Sequence, residues 1–226
     1  KGSAEKILTD ISSRNSCAIK PGNFFNFNPK MLVKEGEEVS IGTPICFEKN
    51  DSRVIIVSPV SGTVKEIIRG DRRKILEIVI EPNSSNKKIS HKVEKIDSLS
   101  PEKIKNFLLK TGSWPFIRQR PFNLLADPDI IPKSIHISAI SSVPLGVDYD
   151  FILKNNREDF QSGINILNTL LPGKVNLFID KDFQGFFSKI KNANIFHVSG
   201  PHPSGNVSVQ IQKTNPINFG KGLGYS

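Results

Sequence analysis

The stretch of residues 54–81 constrains the fold more than any other part of the chain. It holds three runs rich in Val, Ile and Thr, whose branched side chains favour extended backbone and pack well on a pleated surface. Turn residues separate the runs, first at Pro59 and Gly62 and then at Gly70. These residues let a chain reverse direction within a few positions, so the stretch predicts three strands joined by tight turns.

A glycine-punctuated repeat precedes these strands. Val33, Val39 and Ile45 recur at equal intervals, with Gly36 and Gly42 between them. Each glycine can supply the positive φ that folds a short strand back on itself. The repeat therefore predicts a compact all-β module, and the poorly periodic residues 1–30 are expected to form a loop that covers it.

The polar stretch of residues 82–88 contains no apolar group that could build a core, so we expect an exposed linker there. A chain of 226 residues is long enough for two domains. We place the domains at residues 1–96 and 97–226.

The second domain alternates between predicted helices and strands, which is typical of βαβ units. Helices are predicted over residues 101–111, 157–171 and 182–191, and strands over residues 134–140, 174–179, 193–198 and 207–211. Short connections predict right-handed crossovers and a largely parallel sheet, which is Rossmann-like in layout. The fold class is thus α/β plus an all-β module. Residues 214–226 lack a terminating element, and the domain is expected to be truncated there.

The net charge and the hydropathy of the chain limit the kinds of partner that it is expected to bind. Thirty-one Lys and Arg against 22 Asp and Glu give a net charge of +9, which favours an anionic lipid surface, an acidic partner subunit or nucleic acid. The basic residues are scattered and no nucleic-acid-binding motif accompanies them, so nucleic acid is disfavoured. No apolar run approaches the roughly 20 residues that a membrane helix needs, and no secretion signal begins the chain.

The residues disfavour a metal site and a classical dinucleotide site. Cys17 and Cys46 are far apart and the four histidines lack ligand spacing, which disfavours zinc and iron–sulfur clusters. No glycine-rich phosphate loop follows the strand that ends near Ile140, and Pro144 removes an amide that a pyrophosphate would need. His136 and His197 fall in predicted strands and are expected to be core residues.

A segment rich in aromatic residues and arginine contains two prolines, Pro115 and Pro121. It contains Trp114, Phe116, Arg118, Arg120 and Phe122, and we expect it to be stiff and extended. Aromatic faces and guanidinium groups can stack on a planar ring or bond its carbonyls, which suits a quinone or flavin headgroup. The alternative is a crossover strap whose aromatic residues pin the two domains together.

His202 is the remaining candidate. In an open parallel sheet, ligands bind beyond the carboxyl ends of the strands, which singles out residues 141–149 and 200–206. His202 lies among two glycines and two prolines in the second segment, where it could bond a ligand carbonyl or shuttle a proton. The alternative is a rigid turn whose imidazole bonds nearby backbone.

The glycine repeat followed by S-P-V-S-G-T-V resembles the barrel-sandwich hybrid of biotinyl and lipoyl carrier domains. Those domains carry their cofactor on a lysine in an exposed hairpin. By the lipoyl spacing that position is Asp51 here, with Lys49 two residues away. The resemblance thus implies a carrier fold without a carrier lysine, and a true lipoyl or biotin carrier is the alternative.

Four motifs in order resemble the A subunits of bacterial Na+-translocating NADH:quinone oxidoreductases. These motifs are V-K-E-G-E-E-V-x-x-G-T-P, S-P-V-S-G-T-V-K-E-I-I-R-G-D-R-R, T-G-S-W-x-x-x-R-Q-R-P-F and G-P-H-P-S-G-N. The domain order is also similar to that of the peripheral subunit of Rnf complexes.

The resemblance implies a peripheral subunit on the cytoplasmic face of the bacterial inner membrane, in a pump that couples NADH oxidation and quinone reduction to Na+ export. It implies ubiquinone or menaquinone as ligand, no cofactor in this chain, and FAD, FMN and iron centres in partner subunits. The fragment alone is not expected to be catalytic. A purely structural assembly subunit and an Rnf-type subunit are the alternatives.

Overall fold

The chain forms an all-β module followed by an α/β module in a computed structural model that describes residues 5–9, 15–92, 99–182, 185–220 and 222–226. The strands of the first module are β1 (Cys17–Ile19), β2 (Pro29–Met31), β3 (Glu38–Val39), β4 (Pro44–Glu48), β5 (Asp51–Val57), β6 (Gly62–Arg69) and β7 (Ile75–Pro82). They build two antiparallel sheets, one in the order β1-β7-β6-β3 and one in the order β2-β4-β5. The three strands predicted in residues 54–81 are β5, β6 and β7.

The glycine repeat behaves as predicted. Val33, Val39 and Ile45 are all buried in the core of the first module. Gly36 and Gly42 have φ values of 84° and 89°, a region that other residues rarely adopt. The repeat therefore folds short strands around one apolar centre.

The prediction of a covering loop over residues 1–30 is wrong where the structure has the strands β1 and β2. β1 pairs with β7 and β2 pairs with β4, so both belong to the sheets. Ile19 and Phe27 are buried and add to the core. Three-residue strands are too short to show a periodicity in the sequence, which is why the pattern missed them.

The second module is a six-stranded mixed sheet with helices. Its elements are α1 (Pro101–Lys110), β8 (Arg118–Arg120), β9 (Leu124–Leu125), β10 (Ser134–Ser138), α2 (Tyr149–Ile152), α3 (Arg157–Leu170), β11 (Val175–Asp180), β12 (Asn194–Val198), α4 (Val207–Thr214) and β13 (Gly224–Tyr225). The strand order is β12-β11-β10-β13-β8-β9.

Only part of this sheet has the expected parallel arrangement. The four strands from β12 to β13 are parallel to their neighbours, whereas β8 and β9 add an antiparallel edge. β13 lies inside the sheet between β10 and β8, so the expectation that residues 214–226 lack a terminating element is wrong. Its two residues are both buried, and a strand lies on each side of them.

The helix predictions have mixed outcomes. α1 and α3 confirm two of them, and the Ser100 hydroxyl accepts the Lys103 amide as the N-cap of α1. Residues 207–211, predicted as a strand, begin helix α4. Within the predicted helix over residues 182–191, the structure has only a short 3₁₀ helix at Phe186–Lys189, and residues 183–184 lie outside the described part.

Several contacts join the two modules. The guanidinium of Arg53 in β5 binds both carboxylate oxygens of Asp129, at 2.7 and 3.0 Å. The Phe24 ring meets the Phe116 ring edge to face, with centroids 5.5 Å apart. The boundary predicted between residues 96 and 97 lies outside the described residues.

Candidate functional site

Residues 114–122 were expected to be stiff and extended, but they change conformation twice. Trp114–Phe116 form a 3₁₀ helix, and the chain then enters β8. Trp114 is 1% exposed, and its indole N–H donates to the Ala126 carbonyl at 2.8 Å. Its ring meets the Tyr225 ring at right angles, with centroids 6.2 Å apart. The indole is thus fixed at the base of α1.

The two phenylalanines of this segment point to solvent. Phe116 is 73% exposed and Phe122 is 72% exposed. The contact between Phe116 and Phe24 of the first module agrees with the strap interpretation of the segment.

The two arginines have different surroundings. Arg118 is exposed, and its backbone pairs in both directions with Ser226. Arg120 is half-buried and donates to the Ser226 and Ser208 hydroxyls, each at 2.8 Å. Burial, with a smaller effect from Arg118, lowers the pKa of Arg120. Arg120 thereby ties β8 to β13 and to the first turn of α4.

His202 lies where the two loops at the carboxyl ends of β10 and β12 meet. Its Nδ1 is 3.2 Å from the Ser142 hydroxyl, which also accepts the Gly205 amide at 2.8 Å. The Ser138 hydroxyl donates to the Gly205 carbonyl. The predicted convergence of residues 141–149 and 200–206 is therefore present. His202 is exposed and bonds a side chain rather than the backbone.

The six candidate residues do not form one site. Trp114 is buried next to the end of α1, and Phe116 and Phe122 are exposed. Arg120 bonds Ser208 in α4, whereas His202 bonds Ser142 in the loop that follows β10. The sequence pattern grouped five of them because they are close along the chain.

Trp114 does line an apolar cavity. This cavity has a volume of about 380 Å³ and lies between α1, the end of α3 and residues 128–132. Its walls are Pro101, Glu102, Lys105, Trp114, Pro128, Asp129, Ile130, Ile131, Pro132, Leu170, Leu171 and Tyr225. The size falls within the range of small-molecule sites, which are mostly apolar with a few polar groups.

Two residues of this cavity were not predicted from the sequence. The Tyr225 hydroxyl lies 2.6 Å from the carbonyl oxygens of both Asp127 and Ile130, and burial raises its pKa. The Lys105 side chain is 19% exposed and its ammonium is 3.0 Å from Glu102. A lysine within the otherwise apolar stripe of α1 was the available signal for Lys105. Tyr225 gave none.

A larger cavity of about 620 Å³ lies between the modules. Its lining is polar and includes Glu48, Asp51, Arg53, Asp127 and Asp129. Arg53 binds both Asp51 and Asp129, and it holds the pKa of each carboxylate below its usual range. These ion pairs link the two modules across the cavity. The charged lining does not suit an apolar ring.

The carrier-type hairpin differs from its prediction. Lys49 and Asn50 are the two turn residues between β4 and β5, while Asp51 already belongs to β5. The spacing was therefore wrong about the tip, which holds an exposed lysine. The Lys49 amide donates to the Asn28 carbonyl at 2.9 Å, which fastens the turn to the chain just before β2.

The two histidines predicted as core residues differ in their exposure to solvent. His136 is 2% exposed, lies 2.7 Å from the Ser134 hydroxyl and has its pKa lowered to about 4 by burial. His197 is exposed, so its prediction is wrong, because its side chain lies on the open face of the edge strand β12. Among the described residues, no group of three His, Cys, Asp or Glu side chains could hold a metal ion.

In the described part of the chain, no helix is long and apolar enough to cross a membrane.

Comparison with known proteins matches both modules. The NqrA N-terminal barrel-sandwich hybrid domain matches residues 1–83, and the NqrA second alpha/beta domain matches residues 99–223. The barrel-sandwich hybrid predicted for the first module is thereby confirmed.

Curated relatives agree with these matches. One is the A subunit of the Na(+)-translocating NADH-quinone reductase of Glaesserella parasuis serovar 5 (strain SH0165), which is 26% identical over 228 residues and covers 99% of this chain and 51% of the relative. Proteins of the same name from Actinobacillus pleuropneumoniae serotype 5b (strain L20) and Haemophilus influenzae (strain PittGG) are each 29% identical, covering 97% of this chain and 50% of each relative.

The chain therefore spans about half the length of these relatives. With both modules matched in order, the chain belongs to the NqrA family.

Proposed function

We propose that the chain is part of a peripheral subunit of a Na+-translocating NADH-quinone reductase and that it helps to bind the quinone. In this proposal the subunit lies on the cytoplasmic face of the inner membrane. The complex couples NADH oxidation and quinone reduction to Na+ export, and partner subunits carry the FAD, FMN and iron centres.

The observation that carries the quinone proposal is the cavity of about 380 Å³ beside Trp114. A quinone headgroup is planar and apolar, and its two carbonyl oxygens accept hydrogen bonds. The isoleucine and leucine side chains supply apolar surface, beside the buried Trp114 ring. The site would be preformed, because Trp114 and Tyr225 are both fixed by bonds to backbone carbonyls.

Lys105 supplies the donor that this site needs. The indole N–H is committed to Ala126 and the Tyr225 hydroxyl lies against Asp127 and Ile130, so neither is available to a ligand. The ammonium of Lys105 has three N–H donors, of which Glu102 occupies one. We therefore assign Lys105 to a quinone carbonyl.

The other five sequence candidates receive different roles in this proposal. Arg120 positions α4 and β13, and the exposed Phe116 and Phe122 face partner subunits. Arg118 and His202 do not line the cavity. Their contact with a quinone stays a prediction from the sequence.

We also propose that this chain holds no redox cofactor. Its two cysteines are in different strands and the chain has no glycine-rich phosphate loop. An absorption spectrum of the purified subunit tests this, because flavin or iron–sulfur absorbance in stoichiometric amount would contradict it.

The quinone site is tested in the assembled complex with a photoreactive quinone analogue. We expect labelled peptides from residues 101–114 or 128–132, and Lys105→Met should raise the KM for quinone about tenfold by removing one charge-assisted bond. Lys110→Met is the matched control, since Lys110 is exposed at the end of the same helix. Labelling confined to other subunits, or equal KM values for the two variants, would contradict the proposal.

A structural assembly subunit is the second candidate. The exposure of Phe116 and Phe122 favours it, because large aromatic residues on a surface often mark a protein interface. If Phe122→Ser releases the subunit from the complex while the quinone analogue labels only other subunits, assembly is its function.

A further inference from the structure

The four parallel strands of the second sheet all begin at the same end of the second module. β10 pairs in parallel with β11 and β13, and β11 pairs in parallel with β12. The connections that enter these strands are residues 130–133, 171–174, 190–193 and 215–223, of which residue 221 lies outside the described part. We call the surface that they form the entry face.

Backbone bonds hold three of these connections together. The Lys133 amide donates to the Leu223 carbonyl at 2.6 Å, and the Ile135 amide donates to the Lys174 carbonyl at 2.9 Å. The Lys133 ammonium also lies 3.2 Å from the Pro216 carbonyl. The entry face is therefore one surface rather than four separate loops.

The entry face is basic. The sequences of its four connections contain Lys133, Lys174, Lys191 and Lys221, and they contain no Asp or Glu. Lys174 and Lys191 are exposed and Lys133 is partly exposed. None of these three forms an ion pair with a described residue. The face thus presents positive charge that no described carboxylate pairs with.

The opposite end of the same sheet has a different charge. The connections that leave the strands there are residues 139–148, 181–185 and 199–206. Their sequences contain two carboxylates, Asp148 and Asp182, and one lysine, Lys181. The lysines that look scattered along the sequence therefore make one end of this sheet more basic than the other.

Two large apolar side chains also project from the entry face. Phe219 is completely exposed, and Ile131 is 83% exposed. They belong to the two connections that Lys133 joins. Exposed apolar groups beside lysines are typical of segments that lie in a membrane interface, where the apolar groups enter the acyl boundary and the lysines meet anionic lipids.

The composition of the entry face favours a lipid bilayer over a protein partner. Protein interfaces are depleted in lysine and enriched in arginine, whereas the four connections contain four lysines and no arginine. Lysine is a compact, hydrated charge on a flexible stem and suits headgroups that have no fixed arrangement. Each lysine near an anionic membrane surface adds to the attraction.

We propose that the entry face docks on an anionic phospholipid bilayer. Phe219 and Ile131 enter the acyl boundary, and Lys174 and Lys191 contact the headgroup phosphates. The inference rests on the proposed function in taking the subunit to be peripheral to a membrane, and it names the surface that meets the lipid. Ile131 also lines the cavity beside Trp114, so the bilayer lies next to the proposed quinone site.

The test is co-sedimentation of the intact chain with quinone-free vesicles. We expect binding to equimolar phosphatidylglycerol and phosphatidylcholine, weaker binding as the salt concentration rises, and no comparable binding to phosphatidylcholine alone. A lack of binding to the anionic vesicles would overturn the proposal and leave an acidic protein as the partner of this face. Because the vesicles hold no quinone, that failure is distinct from a failure of the quinone site, which photolabelling of the complex tests.

Two double variants with the same net charge test whether the entry face makes the contact. Lys174→Gln combined with Lys191→Gln should weaken binding to the anionic vesicles about twenty-fivefold, since each lysine near the surface contributes roughly fivefold. Lys154→Gln combined with Lys181→Gln is the control, because both lysines are exposed and follow elements at the opposite end of the sheet. Equal losses in the two double variants would exclude the assigned orientation.

Tryptophan substitutions test the insertion of the apolar side chains. Trp114 is the only tryptophan and is buried, so Phe219→Trp adds one exposed reporter. Its fluorescence should be quenched when the phosphatidylcholine of the anionic vesicles carries brominated acyl chains. Leu145→Trp is the control, since Leu145 is also completely exposed but lies at the opposite end. Equal quenching of the two variants, or quenching of Leu145→Trp alone, would contradict the proposal.

Discussion

His136 is a buried histidine that the fold keeps neutral. Its ring is stacked on Phe178 and its Nε2 is bonded to Ser134, while burial lowers its pKa from 6.5 to about 4. The unfolded chain binds a proton at this residue below pH 6.5, but the folded chain does not do so until about pH 4. The folded state therefore loses stability as the pH falls through this window.

We expect the free energy of unfolding to drop by up to about 3 kcal/mol between pH 6.5 and 4 through this residue. His136→Gln cannot titrate and should flatten that part of the profile, as measured by urea unfolding at a series of pH values. His197→Gln is the control, because it makes the same substitution at an exposed histidine. Parallel profiles for the unmodified chain and His136→Gln would contradict the assignment.

At the residue scale, the sequence analysis identified Trp114 as a candidate but not the residues that lie beside it in the folded chain. Trp114 was predicted as part of a segment that could stack on a planar ring, and the structure places it in the wall of an apolar cavity. Lys105 and Tyr225 reach the same cavity from α1 and β13, and only the folded chain brings these elements together. Phe116 and Phe122 were grouped with Trp114 by proximity along the chain, which does not determine the direction of a side chain.

At the element scale, α4 shows why a short alternating run is ambiguous. Val207, Val209 and Ile211 alternate with polar residues as in a strand, yet Val207 and Ile211 are also one helical turn apart. The crossover from β12 to the parallel strand β13 requires a covering element, and the helix buries Gln210 and Ile211 against the sheet. Tertiary packing therefore decided the conformation. The longer α1 and α3 were predictable because their apolar spacing extends over several turns.

The end of α1 packs closely on β5, and Gly112 makes this contact. Gly112 has a φ of 71°, and a Cβ atom there would lie 2.6 Å from a methyl carbon of Val57. Gly173 has a similar φ of 72° with open space around it. Substituting each glycine by alanine therefore separates two losses of stability, one from backbone strain alone and one from the close contact between the modules.

Gly173→Ala should lower the free energy of unfolding by about 1 kcal/mol, since only the backbone is strained. Gly112→Ala should cost about 3 kcal/mol, because the stiff side chain of Val57 must also move. Urea denaturation of both variants provides the comparison. Equal losses would mean that the modules separate easily at this contact.

At the scale of the whole molecule, the hairpin between β4 and β5 is fastened to the second module close to its tip. Arg53 binds Asp51 in its own strand and Asp129 in the second module, in a polar gap between the two modules. A swinging cofactor arm needs a hairpin that stands free of the rest of the protein, and this one does not.

Lys49 should therefore remain unmodified although it is exposed at the hairpin tip. Intact-mass and peptide mass spectrometry of the native protein are expected to show no lipoyl or biotinyl increment on this lysine. Arg53→Ala serves as a comparison, because it releases the hairpin from Asp129 without changing the tip. A stoichiometric increment on Lys49 in the unmodified sequence would restore the carrier interpretation.

β13 enters the middle of the second sheet 90 positions after its neighbour β10, counted along the chain from Ser134 to Gly224. On a translating ribosome, β8 and β10 are made long before the strand that separates them. During that interval, the edges of β8 and β10 that later pair with β13 lack this partner strand. This interior strand is thus inserted only after both of its neighbours have been made.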